Sequence, residues 1–228
     1  YIPIIKNVGF GKACNIASKV SRAESIIFLN PDVNFNISNV ENLKSMLNTL
    51  NQKDVGIIGP SCFDKNHQAV KSYFRFNRSS ILTKPLQTLK KIGGISKYLA
   101  QIKFLKRQMQ NLYYKDNELK DINYVDWLQG CFLVISRTFF QELGGFDERY
   151  FLYFEDTDLC RKTKKLKKKV ILYNKFKIIH YGNFESKKSK GLINSLLSNK
   201  ASRYHLISWI KYCIKWRNDL FLGINNNL

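Results

Sequence analysis

The apolar positions of the chain follow two rhythms. Short, nearly continuous apolar runs stand at Ile2–Ile5, Ser25–Leu29, Val55–Pro60, Val125–Leu128, Gly130–Ile135, Val170–Tyr173 and Lys177–His180. Runs of this kind predict strands buried on both faces. Between them, apolar residues recur at three- and four-residue intervals. That spacing predicts helices over about Ala13–Ser21, Val40–Asn51, Thr138–Leu143 and Glu155–Lys168. Turn chemistry separates the two kinds of segment: a Gly-rich stretch at Asn7–Lys12, Asn30-Pro31-Asp32, and a Gly144-Gly145 helix cap. Cys62–Phe76 predicts a hairpin turning at Asp64-Lys65-Asn66, where Asn tolerates a positive φ. Residues 79–120 differ in character. Leu86, Leu89 and Ile92, then Leu99, Ile102 and Leu105, predict two basic amphipathic helices split at Gly93-Gly94. From Ser186 onward the pattern is helical again, through Leu192, Leu196 and Leu197, then Tyr204, Ile207, Ile210 and Ile214.

Strands alternating with helices predict an α/β fold. The expected architecture is a mostly parallel sheet with helices on both faces. Such sheets take ligands at the carboxyl ends of their strands. The expected organisation is a main domain over 1–185 with a helical insert at about 79–120, followed by a basic amphipathic helical tail over 186–228.

Composition narrows this picture. The chain has 228 residues, 44% of them hydrophobic, with 16 Phe, 12 Tyr and 3 Trp, which excludes a largely disordered chain. No run of 18 apolar residues occurs, so no spanning helix is expected, and the N-terminus reads as a strand and not as a signal peptide. Five cysteines, Cys14, Cys62, Cys131, Cys160 and Cys213, lie without CxxC spacing. That dispersal argues against a disulfide framework and against a zinc cluster, and it suits a reducing cytoplasm. The formal charge of +21 admits three partners: nucleic acid, an anionic membrane surface, or phosphate-bearing substrates. No helix-turn-helix, zinc-finger or RNA-binding signature accompanies it, which disfavours nucleic acid.

Several residues carry candidate chemistry, each with a plain structural account beside it. Asp32 follows an apolar strand and is a hard oxygen ligand at the sheet's carboxyl edge; Asn-Pro-Asp is also a common turn. Glu155-Asp156-Thr157-Asp158 follows the aromatic stretch Tyr150–Phe154. Acids in a first helical turn suit the macrodipole, while partial desolvation among aromatics raises a carboxyl pKa and makes a general base. His180 closes a strand and offers an imidazole at the same edge as Asp32, though a lone His at a strand end is more often structural. At Asp126-Trp127 an indole face and a carboxylate fit a sugar ring, or equally a half-buried core Trp beside a surface acid. Gly9 and Gly11 permit close backbone approach to phosphate, a weak signal alone. Arg161–Lys169 holds seven basic residues in nine, either a solvated helix face or a site for anionic lipid or nucleic acid.

Taken in order, Asn7-Val8-Gly9-Phe10-Gly11, Asn15, Phe28–Val33, Val125–Gly130, Gly144–Glu148, Phe151–Cys160 and Ile179-His180 resemble the rhamnosyltransferase-like branch of glycosyltransferase family 2. The resemblance covers roughly residues 5–185 and is most specific over Gly144–Cys160. It implies a GT-A fold and an inverting transfer of a sugar from a nucleoside diphosphate. It places Asp32 and His180 at a divalent cation, Mg²⁺ or Mn²⁺. Asp156, with Glu155 beside it, stands where the family has its general base. Asn7, Gly9, Gly11, Asn30, Asp126, Trp127 and Gly130 fall in the donor and acceptor pocket. The implied donor is dTDP-rhamnose, with UDP-sugars as the runner-up. The implied acceptor is a polyprenyl-diphosphate-linked glycan at the inner face of the cell membrane, where the basic helices over 84–115 and 200–217 suit anionic lipid. Family members also carry an opening strand and a second strand ending in a carboxylate that grip the nucleotide base. Neither has a counterpart in this chain, so the domain is read as N-terminally incomplete. A non-catalytic, membrane- or partner-binding relative is the competing reading.

Overall fold

A computed structural model describes residues 2–35, 39–76, 114, 119–182 and 199–221. The expected helices over 79–120 fall almost wholly outside the described residues, as does the start of the tail. By compactness the chain forms two units. One comprises Tyr1–Phe74, Lys115–Phe151 and Glu155–Gly182; the other comprises Arg75–Tyr114, Leu152–Phe154 and Asn183–Leu228.

The first unit is built on a sheet of seven strands: β1 (Ser25–Leu29), β2 (Val33–Asn34), β3 (Val55–Phe63), β4 (Ala69–Val70), β6 (Ile122–Val125), β8 (Phe132–Ser136) and β9 (Lys169–His180). β5 (Tyr73–Phe74) and β7 (Trp127–Leu128) form a separate antiparallel pair. The spatial order is β1-β8-β3-β9-β2, with β4 beside β3 and β6 beside β9. The α/β class stands, but the expected mostly parallel sheet does not. Only β3 and β9 pair in parallel among the described residues, and the other pairings are antiparallel. A central strand covered on both faces is continuously apolar whichever way it runs, so periodicity carries no information on direction. β1, β3 and β9 nevertheless point the same way, so Asn30–Asp32, Asp64 and His180 gather at one edge.

Three further expectations change. Ile2–Ile5 forms no strand, and Ile5 is fully exposed. An extended segment needs a partner edge for its backbone groups, and the described residues supply none there. β1 is an edge strand with Ile27 and Leu29 about two-fifths exposed, not a strand buried on both sides. The two late strands are one, β9, interrupted where the register jumps from Pro60↔Tyr173 to Ser61↔Lys177. The hairpin turns where expected, but Asp64 Oδ1 takes the Asn66 and Gln68 amides, and the positive φ falls on His67.

Side-chain alternation divides the core in two. Ile58, Phe132, Val134, Ile171 and Ile178 face α2 (Val40–Leu50) through Met46 and Leu50. On the other face Phe28 meets Phe140 and Phe146 at 4.9 and 4.8 Å between ring centroids. This side carries α1 (Phe10–Val20), α3 (Arg137–Glu142) and α4 (Glu155–Lys165). Ser136 caps α3 by accepting from the Phe139 amide, and Gly144 and Gly145, at φ 72° and 70°, end it. Asn15 locks α1 to that turn: its amide donates to the Phe146 carbonyl and accepts from the Phe146 amide, both at 2.9 Å.

In the second unit, α5 (Lys200–Lys215) runs into α6 (Arg217–Phe221). Asn199 caps α5 through the Ala201 amide. Its inner face, Ser208, Tyr212 and Trp216, is buried. Ser208 donates to the Leu152 carbonyl, and Phe154 packs on His205 and Tyr212.

Candidate active site

β2 determines one end of the site. Val33 pairs with His180, and the Tyr181 amide donates to the Asp32 carbonyl at 2.9 Å. These two backbone links bring Asp32 Oδ1 to 3.2 Å from His180 Nε2. The space beside the pair is kept by Gly182, where a Cβ would stand 2.9 Å from His180 Nε2 and 3.4 Å from Asp32 Oδ2. A carboxylate oxygen, an imidazole nitrogen and an open flank make a donor set that fits a divalent cation such as Mn²⁺.

The other end is the first turn of α4. Asp156 accepts from the Gly130 amide through Oδ2 at 2.8 Å and from the Thr157 amide through Oδ1 at 2.6 Å. Gly130 suits this approach, since a Cβ there would lie 3.1 Å from Asp156 Cβ, closer than an ordinary contact. The same turn reaches the first end: the Asn30 amide donates to the Cys131 carbonyl at 3.0 Å. One dipeptide, Gly130-Cys131, therefore ties Asp156 to the loop that carries Asp32. Immediately before α4, Tyr153 and Phe154 hold φ of 69° and 71°, a left-handed pair of bulky residues that costs roughly 1–3 kcal/mol each.

Glu155 is placed differently. It is buried beside Gly11 of α1, its Oε2 has no hydrogen-bond partner, and its pKa is pushed up to about 8, first by burial and then by the Asp156 charge. It is a protonated interior carboxyl at neutral pH, while Asp156 is only partly buried. Asp158 is fully buried and accepts from the Tyr150 hydroxyl at 3.3 Å.

The glycine loop turns inward. The Gly9 amide donates to Asn7 Oδ1 and the Phe10 amide to the Phe151 carbonyl. At φ 86°, a Cβ on Gly9 would meet Phe151 O at 2.3 Å, and one on Gly11 would meet Phe146 Cβ at 3.0 Å. Both glycines thus have packing reasons to be glycine. Trp127 stacks one face on Phe74 at 4.3 Å, and Asp126 receives Lys164. The basic run is also largely used internally: Lys162 donates to the Leu143 and Gly145 carbonyls, Lys168 to the Lys53 carbonyl, and Lys169 pairs with Asp54.

Two features escaped the sequence. A cavity of about 730 Å³ opens beside β2 and the end of β9, lined in part by Asn34, Phe35, His67 and Lys177. And, against the expectation of no zinc cluster, Cys62, Cys131 and His180 bring their ligand atoms within 4.8 Å of one another. The Cys131 hydrogen bond and then His180 hold the Cys62 thiol well below its ordinary range against the opposing effect of burial, while Cys131 is pushed up. Cys62, and after it Asp32, keeps His180 above its usual value. No spacing rule announces this cluster, because its members come from three separate stretches of chain.

No protein-family model matches the chain. It is 32% identical over 93 residues to the rhamnosyltransferase WbbL of Escherichia coli K12, an alignment covering 41% of this chain and 32% of that protein. It is 57% identical over 35 residues, 15% of this chain and 11% of the relative, to an N-acetylglucosaminyl-diphospho-decaprenol L-rhamnosyltransferase of Mycobacterium tuberculosis H37Rv. The alignments thus span about a third or less of these curated relatives. A structure of GalNAc-T7 with UDP, GalNAc and Mn²⁺ superposes with a TM-score of 0.53 at 11% identity, covering 97% of this chain and 45% of that one. The fold is that of a GT-A glycosyltransferase, and the sequence is rhamnosyltransferase-like.

Proposed function

We propose that this chain carries the catalytic part of an inverting glycosyltransferase. It moves a sugar, rhamnose by its relatives, from a nucleoside-diphosphate donor to a hydroxyl of a lipid-linked glycan. The supporting observation is that one turn, Gly130-Cys131, holds both the Asp156 carboxylate and the loop of Asp32, which reaches His180. Asp156 accepts the proton of the attacking hydroxyl. The Gly130 and Thr157 amides orient its carboxylate. Glu155 supports that turn from the interior and does not touch substrate. Asp32 and His180 hold a divalent cation, which when bound stabilises the charge gathering on the departing diphosphate. Trp127, half-buried and stacked on Phe74, supplies an apolar indole face for a sugar ring. The cavity beside β2, with Asn34, His67 and Lys177, suits the polar, partly anionic body of a diphosphate-linked ligand.

No described helix is long and apolar enough to cross a membrane. α5 nevertheless exposes Leu206, Ile207, Ile210 and Ile214, with Lys200, Arg203, Lys211 and Arg217 exposed around them. We assign that stripe to the headgroup region of an anionic bilayer, where a lipid-linked acceptor resides.

The deciding experiment is transfer from a panel of nucleotide sugars, with and without Mn²⁺, by this chain and by Asp156→Asn. Cation-dependent turnover that the variant loses supports the reading and identifies the donor. Neither turnover nor nucleotide binding would point instead to a non-catalytic relative.

A further inference from the structure

We propose that Cys62, Cys131 and His180 form a second, softer metal site, for Zn²⁺ or a similarly thiophilic cation, on the interior side of the Asp32–His180 pair. Three observations converge. The three ligand atoms already lie within 4.8 Å of one another, and a tetrahedral Zn²⁺ with sulfur at about 2.3 Å and nitrogen at about 2.0 Å needs only a modest closing of that triangle. The frame is rigid. Cys62 pairs with Ile178 in the parallel β3–β9 ladder, so His180, two residues on, shares its face of the sheet. Cys131 is fixed from its own backbone by the Asn30 amide. The environment is also graded in the right sense. Both thiols are about 3% exposed inside the α2-facing core, whereas His180 reaches toward Asp32 at the open edge. Two thiols with an imidazole favour zinc over magnesium or manganese, and three protein ligands leave a fourth position for water.

The site lies beside the proposed transferase cation and shares His180 with it, yet the inference does not require transferase activity.

Titration of the reduced full chain with Co²⁺ tests this directly, since thiolate-bound tetrahedral cobalt has a near-ultraviolet charge-transfer band and intense visible d–d bands. One equivalent is expected to produce both, and Zn²⁺ to abolish them. Cys62→Ser with Cys131→Ser removes the charge-transfer band. His180→Ala, at a less buried position, weakens binding by at least about tenfold while the fold is followed by circular dichroism. Asp156→Asn retains both bands. Absence of a charge-transfer band in the reduced chain overturns the proposal. So does a band that survives in the double cysteine variant, which would assign it to Cys14, Cys160 or Cys213. If the double variant does not fold, an unchanged cobalt affinity in His180→Ala is by itself sufficient to reject the site. Turnover does not enter these readouts, so the failure of the transferase reading and the failure of this site are separable.

Discussion

The two ends of the candidate site are assembled in opposite ways. Asp156 sits in one contiguous stretch, Gly144–Cys160, where a helix cap, an aromatic strap and a first helical turn follow one another. The Asp32 end draws on residues 32, 62, 131 and 180, brought together by strand register and by the turn before β8. A local segment announces itself through spacing, because its geometry is set by nearest neighbours. A site built by register announces only some of its members: Asp32 and His180 stand out at strand ends, whereas Cys62 and Cys131 look ordinary in their own stretches of chain.

The largest expected effect breaks the local end. Asp156→Asn retains the shape but not the basicity, and turnover should fall by about 10²–10⁴-fold with little change in melting temperature. At the register-built end, Asp32→Asn should leave the fold intact and abolish the response of turnover to Mn²⁺; an unchanged Mn²⁺ dependence would remove Asp32 from the cation site. The joint between the ends comes next. Gly130→Ala places a methyl 3.1 Å from Asp156 Cβ, and a loss of about tenfold or more in kcat with nearly constant KM is expected. A loss in KM alone would mean that the turn binds substrate and does not position the base.

Glu155 separates stability from chemistry. Its folded pKa of about 8 lies above the ordinary 4.5. The native state therefore holds a proton that the unfolded chain releases once the pH passes 4.5, and stability falls as pH rises from there to about 8. Glu155→Gln removes that slope. Thermal melts should show the variant gaining several degrees at the top of this window, roughly a few kcal/mol at most, and nothing below it. A parallel offset at every pH would contradict the assignment. The smallest effect belongs to the second unit. Ile210→Glu on the exposed stripe of α5 should lower co-sedimentation with anionic vesicles severalfold and leave the melting temperature unchanged.

Much of this protein was readable in one dimension. The helices at Phe10, Val40, Arg137 and Glu155, the Asp64 turn, the Gly144-Gly145 cap and the acidic first turn of α4 follow from periodicity, propensity and capping, all of which act within a few residues. The resemblance over Gly144–Cys160 lies in the same kind of segment. Other features required three dimensions. Strand direction was invisible because burial on both faces erases polarity. The exposure of β1 and the merging of two strands into β9 depend on which edges find partners. Gly9 and Gly11 suggested phosphate and turned out to be places where α1 meets Phe151 and Phe146. Glu155 and Asp156 are adjacent in sequence, yet one is buried, with its pKa raised by that burial, and the other is only partly buried, because successive helical positions point about 100° apart. The Cys62–Cys131–His180 cluster is the clearest case. Neither cysteine stands out in its own stretch, and only the parallel register of β3 with β9 and the turn before β8 bring the two to His180. Interactions that close over a few residues are written in the sequence pattern, whereas those that close over a hundred are decided by how the strands pair.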